Sequence, residues 1–198
     1  MNDERIERWL DAVLSTPGLT AIRDRREAWR VHVDQSLGAA PLLERGPVVD
    51  VGSGGGSPGL PLAAARPDLR FVLLESTRRK CAFLGEHARE FPNVEVVCAR
   101  AEEHAAGEGR DAYGAAVARA LAPPPVAAEW CLPLVAPGGV AILFVGPSAD
   151  LEAAVKVAER LGAGAPASRN GLLVLRKLEP TPEGFPRRPG MARKRPLA

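Results

Sequence analysis

Val48-Val49-Asp50-Val51-Gly52-Ser53-Gly54-Gly55-Gly56-Ser57-Pro58-Gly59 is the stretch that decides the fold. Its apolar start reads as a parallel strand buried on both faces. The glycines then turn the chain into a helix that Pro58 can begin, its φ already fixed near the helical value. Glycines reach positive φ at little cost and let a ligand lie against main-chain N–H groups. Those groups, with the positive end of the following helix, suit a carboxylate or a phosphate. One strand later, Phe71-Val72-Leu73-Leu74-Glu75 ends in an acid. Nucleotide-binding α/β units place a ribose-binding carboxylate at about that distance beyond the loop. Loop and acid together predict a ligand that carries adenosine.

Outward from this stretch the pattern alternates. Strands are expected at 48–52, 70–75, 94–99, 113–119 and 139–145, with helices at about 58–65, 78–90, 124–135 and 148–161. A last apolar run, Leu172-Leu173-Val174-Leu175, reads as one more strand. Strands separated by helices imply right-handed crossovers and a doubly wound, mainly parallel α/β sheet of seven-stranded, Rossmann-like type. The ligand belongs at the carboxyl ends of its strands. Ahead of the sheet, residues 2–16 carry Ile6, Trp9, Leu10, Val13 and Leu14 at helical spacing, and the run from 24 to 44 carries Trp29, Val33 and Leu37. The organisation expected is a helical cap over 1–45 belonging to the same domain, a core over 46–183 and a tail over 184–198. His32 lies in the cap, where a lone histidine reads as a structural hydrogen-bonder.

At 198 residues, 46% hydrophobic and 25% charged, the chain has the composition of one globular domain. Cys81, Cys98 and Cys131 are an odd number without C-x-x-C spacing. That pattern argues against a disulfide framework or a zinc site, and for packing residues in a reducing cytoplasm. The N-terminus lacks an apolar signal core, and no apolar run reaches the ~18 residues that span a bilayer. The net charge of +2 conceals a basic end: Arg187, Arg188, Arg193, Lys194 and Arg195 occur in the tail without an acid. Such a tail on a mildly acidic body is expected either to meet phosphates or to be solvated.

Gly54-x-Gly56-x-x-Gly59 also fits a dinucleotide fingerprint, which keeps a dehydrogenase in view. Three features favour S-adenosylmethionine. Asp50 stands inside the strand, where an acid would repel a pyrophosphate but can engage an ammonium or fix the loop. Arg100-Ala101-Glu102 follows the third strand and offers an acceptor for an adenine amino group. Pro137-Gly138-Gly139 precedes an apolar strand, as in methyltransferases of this architecture.

Missing motifs narrow the atom that would be methylated. After the fourth strand, Leu121-Ala122-Pro123-Pro124-Pro125 has neither the acid or amide nor the aromatic residue used on exocyclic amines. No cysteine has the context of a pyrimidine-activating nucleophile. A purine ring nitrogen such as guanine N7 needs neither, because its lone pair is already exposed and orientation can suffice.

Several segments carry a family resemblance: Gly18-Leu19-Thr20-Ala21-Ile22-Arg23-Asp24, the glycine loop through Leu60-Pro61-Leu62, Leu74-Glu75-Ser76, Arg100-Ala101-Glu102, Ala118-Arg119-Ala120-Leu121-Ala122 and Phe185-Pro186-Arg187-Arg188-Pro189-Gly190. Over nearly its whole length the chain resembles the bacterial 16S ribosomal RNA guanine-N7 methyltransferases, once called glucose-inhibited division protein B. The resemblance implies methyl transfer from S-adenosylmethionine to one guanine of 16S rRNA or the small ribosomal subunit, with no metal. It implies cofactor contacts at Gly52, Ser57, Ala101, Glu102 and Arg119. The residues themselves add Asp50, Gly54 for close backbone approach and Glu75 for the ribose. Arg119 would face the junction of cofactor and target, acting by positioning, with no general base. The five tail cations would contact phosphate, with Arg79 and Lys80 as alternatives. A cytoplasmic monomer is expected. The chain departs from the family's pattern at Gly18, Asp34-Gln35, Ser57 and Val145.

Overall fold

The computed structural model describes residues 3–198. Seven strands form one sheet: β1 (Val48–Val51), β2 (Phe71–Glu75), β3 (Val94–Cys98), β4 (Tyr113–Arg119), β5 (Val135–Phe144), β6 (Ala163–Arg169) and β7 (Leu172–Lys177). Their order is β3-β2-β1-β4-β5-β7-β6. The first five run parallel, and β7 lies antiparallel to both β5 and β6.

The central strands are apolar on both faces, as a sheet covered twice must be. Val49, Val51, Ala116, Ala118, Ala141 and Leu143 face one way, onto α7 (Pro124–Cys131) and α8 (Leu151–Arg160). Their neighbours Val48, Ala115, Val117, Val140 and Ile142 face α4 (Gly59–Ala65). The alternation is the period of two that strand geometry imposes. On the α4 side, the cap helix α1 (Glu4–Ser15) buries Ile6, Trp9, Leu10 and Val13 against Leu60, Leu73 and Leu84, the last from α5 (Arg78–Ala88). Each such side chain contributes about 1.5–3 kcal/mol of burial, so cap and sheet share one core. The helix expected from residue 2 starts at Glu4, after the N-cap Asp3; Asn2 lies outside the described residues.

The second cap run is less regular than its apolar spacing implied. It comprises α2 (Arg25–Trp29), a π-helical turn over Arg30–Asp34, α3 (Gln35–Leu37) and a 3₁₀ turn over Ala40–Leu42. Two short helices arise where the sequence reads as loop: α6 (Ala101–Ala105) and α9 (Met191–Lys194). Of the seven strands expected, β6 is the one whose place the sequence does not mark. Ala163–Arg169 has no apolar alternation, and its register against β7 shifts between Gly164 and Ala167. It is an exposed edge, held by backbone pairing rather than by a buried face.

The cysteines require a correction. Cys81 and Cys98 form a disulfide, while Cys131 is buried and free. The crossover β2–α5–β3 returns β3 alongside β2, which brings the start of α5 beside the end of β3. Counting cysteines along the chain cannot show that meeting. No helix among the described residues is long and apolar enough to cross a membrane.

Candidate active site

The glycine loop is held from three sides. Asp50, buried in β1, accepts the Gly59 N–H at 3.0 Å through Oδ2. Glu75, at the end of β2, accepts the Gly54 N–H at 3.0 Å and the Ser76 and Thr77 N–H groups at 2.8 Å each. Trp9 of the cap donates its indole N–H to Gly55 O at 2.7 Å. Gly52 and Gly54 have φ of +71° and +57°, a region in which a side chain is strained. Gly59 is needed for close approach instead, since a Cβ there would lie 2.7 Å from Asp50 Oδ2 and collide with Leu73. Pro58 caps α4 rather than entering it. The acid in the strand therefore fixes the loop, one of its two anticipated roles.

Burial pushes the Asp50 carboxyl up to about 7, against the opposing pull of the Gly59 N–H and the Arg119 charge. Its Oδ1 has no partner. Among the described residues the one other orphaned buried side-chain atom is Trp130 Nε1. Buried polar groups are otherwise almost always paired, so the Trp130 donor, left open on a cavity wall, fits a polar ligand. Trp130 lines a cavity of about 340 Å³ together with Gly52, Glu75, Glu102 and Lys80. An acid from the end of β2 and one from α6, which follows β3, thus share one cavity. That arrangement suits a ribose and an adenine amino group, and the residues present fit S-adenosylmethionine.

The tail supplies part of this cavity's wall, through Gly190 and Arg193. Gly190 N–H donates to Glu102 Oε1 at 2.9 Å. Arg187 makes a two-pronged pair with Glu129, both contacts at 2.6 Å, and Glu129 is only 4% exposed. Arg193 lies over the Trp130 ring, 5.0 Å from its centre, and donates to Leu121 O. Arg110 gathers the carbonyls of Thr181, Pro182 and Phe185. Two of the five expected phosphate contacts, Arg187 and Arg193, are therefore engaged within the protein. Arg188, Lys194 and Arg195 remain exposed at the surface. The sequence shows the charge of this tail but not the buried Glu129 that one of its arginines meets.

Arg119, at the end of β4, joins core to cap. It donates to Val31 O, to the Ser36 and Ser57 hydroxyls and to His32 Nδ1. The π turn makes this possible, because its displaced carbonyls turn toward core side chains: Ser36 and Ser57 each donate to His32 O at 2.7 Å. An arginine only donates, so His32 Nδ1 accepts and its proton sits on Nε2, facing Thr20 Oγ1 at 3.0 Å. Burial, reinforced by the Arg119 charge, pulls the His32 pKa down to about 4. Burial also lowers Arg119 to about 10, opposed by Asp50. His32 is the structural bridge its context implied. Ser57, a departure from the family's pattern, is the hydroxyl that ties Arg119 to the cap.

A second cavity, about 200 Å³, lies between loop and cap and shares Gly52, Lys80 and Ala120 with the first. Lys80 borders both, a placement not legible from its position on a helix. Arg79 instead donates to Pro17 O at 3.1 Å. The structure thus brings Gly52, Gly54, Ser57, Glu75, Ala101, Glu102 and Arg119 around two connected cavities, with Asp50 supporting the loop from within β1.

The geometry agrees with what the chain is similar to. The family model for rRNA small subunit methyltransferase G matches residues 4–165. Ribosomal RNA small subunit methyltransferase G of Moorella thermoacetica is 41% identical, spanning 90% of this chain and 82% of that protein. The protein of the same name from Pelotomaculum thermopropionicum is 40% identical over the same shares. Among solved structures, cofactor-bound Rv0187 from MTB aligns with a TM-score of 0.59 at 17% identity, covering 90% of this chain and 91% of that one. A T. thermophilus 16S rRNA N2 methyltransferase, RsmC, in complex with AdoMet and guanosine gives 0.52 at 20% identity, covering 68% and 36%. At those identities the structural likeness speaks for the fold, while the relatives and the family model speak for descent. The chain belongs to the rRNA small subunit methyltransferase G family.

Proposed function

We propose that the protein transfers a methyl group from S-adenosylmethionine to N7 of one guanine in 16S rRNA, acting on the rRNA or on the small subunit. The observation that carries this reading is the pair of connected cavities at the strand ends, walled by Glu75 and Glu102 on one side and Arg119 on the other, in a chain of this family. Glu75 would take the ribose hydroxyls, and Ala101-Glu102 the adenine edge. Trp130 would give its open N–H to a ring acceptor. Lys80, bordering both cavities, is a counter-charge for the methionine carboxylate.

S-adenosylmethionine, when bound, supplies an electrophilic methyl: the N7 lone pair forms the C–N bond as the C–S bond breaks, leaving a neutral thioether and a cationic base. N7 carries no proton, so the protein need only bind, orient and exclude water. The chain's own groups support that economy. Both ring nitrogens of His32 are engaged. The Cys131 thiol is buried and its pKa pushed up by that burial, so it is no nucleophile. We further propose a monomer, since Leu178 is the single large apolar side chain exposed among the described residues, and a cytoplasmic location, which rests on the rRNA substrate and not on the cysteine pattern, since Cys81 and Cys98 are paired.

The test is methyl-labelled S-adenosylmethionine with small subunits from cells lacking this gene, followed by mapping of the labelled nucleotide. Label as 7-methylguanosine at one position is expected. No label on subunits or on free rRNA, with cofactor binding intact, would overturn the substrate assignment.

A further inference from the structure

Three cavities meet at Ala120. The two described above reach it from the glycine loop, and a third, about 730 Å³, reaches it from the far side of Arg119. Ala120 is the one residue that borders all three, and it holds a left-handed backbone with φ of +51°. A residue with a Cβ pays about 1–3 kcal/mol of strain there, and such strain collects at functional sites. The third cavity lies between the cap, through Asp34 and Gln35, and the end of β5 and the β6–β7 turn, through Phe144 and Asn170. Its volume is within the range of about 300–1,000 Å³ typical of ligand sites.

We propose that this third cavity receives the target guanine with N7 turned toward Ala120, a placement that rests on the methyltransferase reading above. Phe144 is half-buried on its floor and offers a ring on which a base can stack. Arg119 stands beside it, its guanidinium carbon 5.9 Å from the Phe144 ring centre. The terminal nitrogens of Arg119 are taken up by the cap and by Ser57 of the loop, which leaves Nε–H without a partner among the described residues. Beside N7, guanine carries the O6 acceptor where adenine carries an amino donor. A donor-only side chain at that edge therefore accepts guanine and refuses adenine. The opposite edge of guanine presents N1–H and an amino group. On that side of the cavity stand Asp34, a carboxylate, and Gln35, both exposed.

Charge flow suits this arrangement. When the lone pair of N7 forms its bond to carbon and the C–S bond breaks, the positive charge moves from sulfur to the purine. A π-face and a carboxylate both stabilise a cation, and Phe144 and Asp34 supply them. The rim can hold the RNA backbone. Arg26 and Arg30 border the outer surface next to Asp34, Arg169 borders the cavity on the β6–β7 hairpin, and all three are exposed without an acidic partner among the described residues. The RNA would thus lie on the cap and hairpin, on the far side of Arg119 from the docked tail.

Two variants test this with small subunits as the probe. For the double substitution Arg26→Glu and Arg30→Glu, on an exposed surface, we expect KM for the subunit to rise at least tenfold. The salt slope of RNA binding should flatten by about 1.4–1.8, with cofactor Kd and kcat unchanged. Phe144→Leu should slow methylation at saturating RNA by about 5- to 150-fold, the worth of one base stack. Phe144→Trp should restore it, and cofactor Kd should stay at the wild-type value in both. Wild-type kinetics on RNA in both the double variant and Phe144→Leu would overturn the cavity while leaving the methyltransferase reading intact. A wild-type protein that labels no guanine N7 would remove both.

Discussion

Arg187→Ala separates two roles that the basic tail could play. In the structure the Arg187 guanidinium faces Glu129, whose side chain is 4% exposed, while Arg187 itself is 20% exposed. Removing the arginine strands a carboxylate inside α7. Breaking a buried pair in this way costs about 3–5 kcal/mol. The partial exposure of Arg187 places the loss at or below the bottom of that range, about 2–3 kcal/mol. For a chain of this size 1 kcal/mol shifts Tm by roughly 2–4 °C, so Tm should fall by roughly 5–10 °C in a thermal melt. Pairing Arg187→Met with Glu129→Leu should recover most of the fall, because no charge is then left buried. Cofactor Kd should rise in the single variant, since Gly190 and Arg193, a few residues on, line the cofactor cavity. A phosphate contact would behave differently. Tm and cofactor Kd would stay unchanged, and the salt slope of RNA binding would fall by about 0.7–0.9. That second pattern would refute the docked tail.

Two further predictions concern the loop and the cap. Gly59→Ala places a methyl group against Asp50 Oδ2 and Leu73; overpacking of this kind costs about 1–3 kcal/mol. A lowered Tm and weaker cofactor binding are expected, and a melt and a titration matching wild type would show that the loop has slack the structure does not. His32 has a folded pKa of about 4 against an ordinary 6.5. The unfolded chain therefore binds more protons in that window, and the stability His32 contributes is present above about 6.5 and lost as pH falls toward 4. Asp50 has the opposite sign: its folded pKa of about 7 means its share falls as pH rises from about 4 to 7. Denaturant melts of wild type and His32→Gln at pH 7 and pH 5 isolate the histidine, and an equal stability gap at both pH values would remove it from the account.

Much of the site was legible because it depends on local rules. A buried strand, a glycine turn and an acid one strand later are neighbours in sequence, so Gly52, Gly54 and Glu75 could be placed without coordinates. Arg119 could be placed at a strand end, but not its partners, since Val31 and His32 offer their carbonyls only because a π turn disturbs the helix. No residue type announces such a turn. The disulfide and the docked tail were illegible for a different reason. Cys81 meets Cys98, and Arg187 meets Glu129, through the topology of the sheet and the path back across α7. The place of strand β6 was missed because an exposed edge need not carry an apolar pattern.

The docked tail also bears on how the protein is made. Residues 187–193 follow every strand of the sheet, yet Gly190 and Arg193 close one side of the cofactor cavity and Gly190 holds Glu102. A nascent chain that has already folded its sheet still has that wall open. On the reading proposed above, cofactor affinity is completed only by segments that leave the ribosome after the sheet does, and a chain broken off before residue 187 lacks that wall.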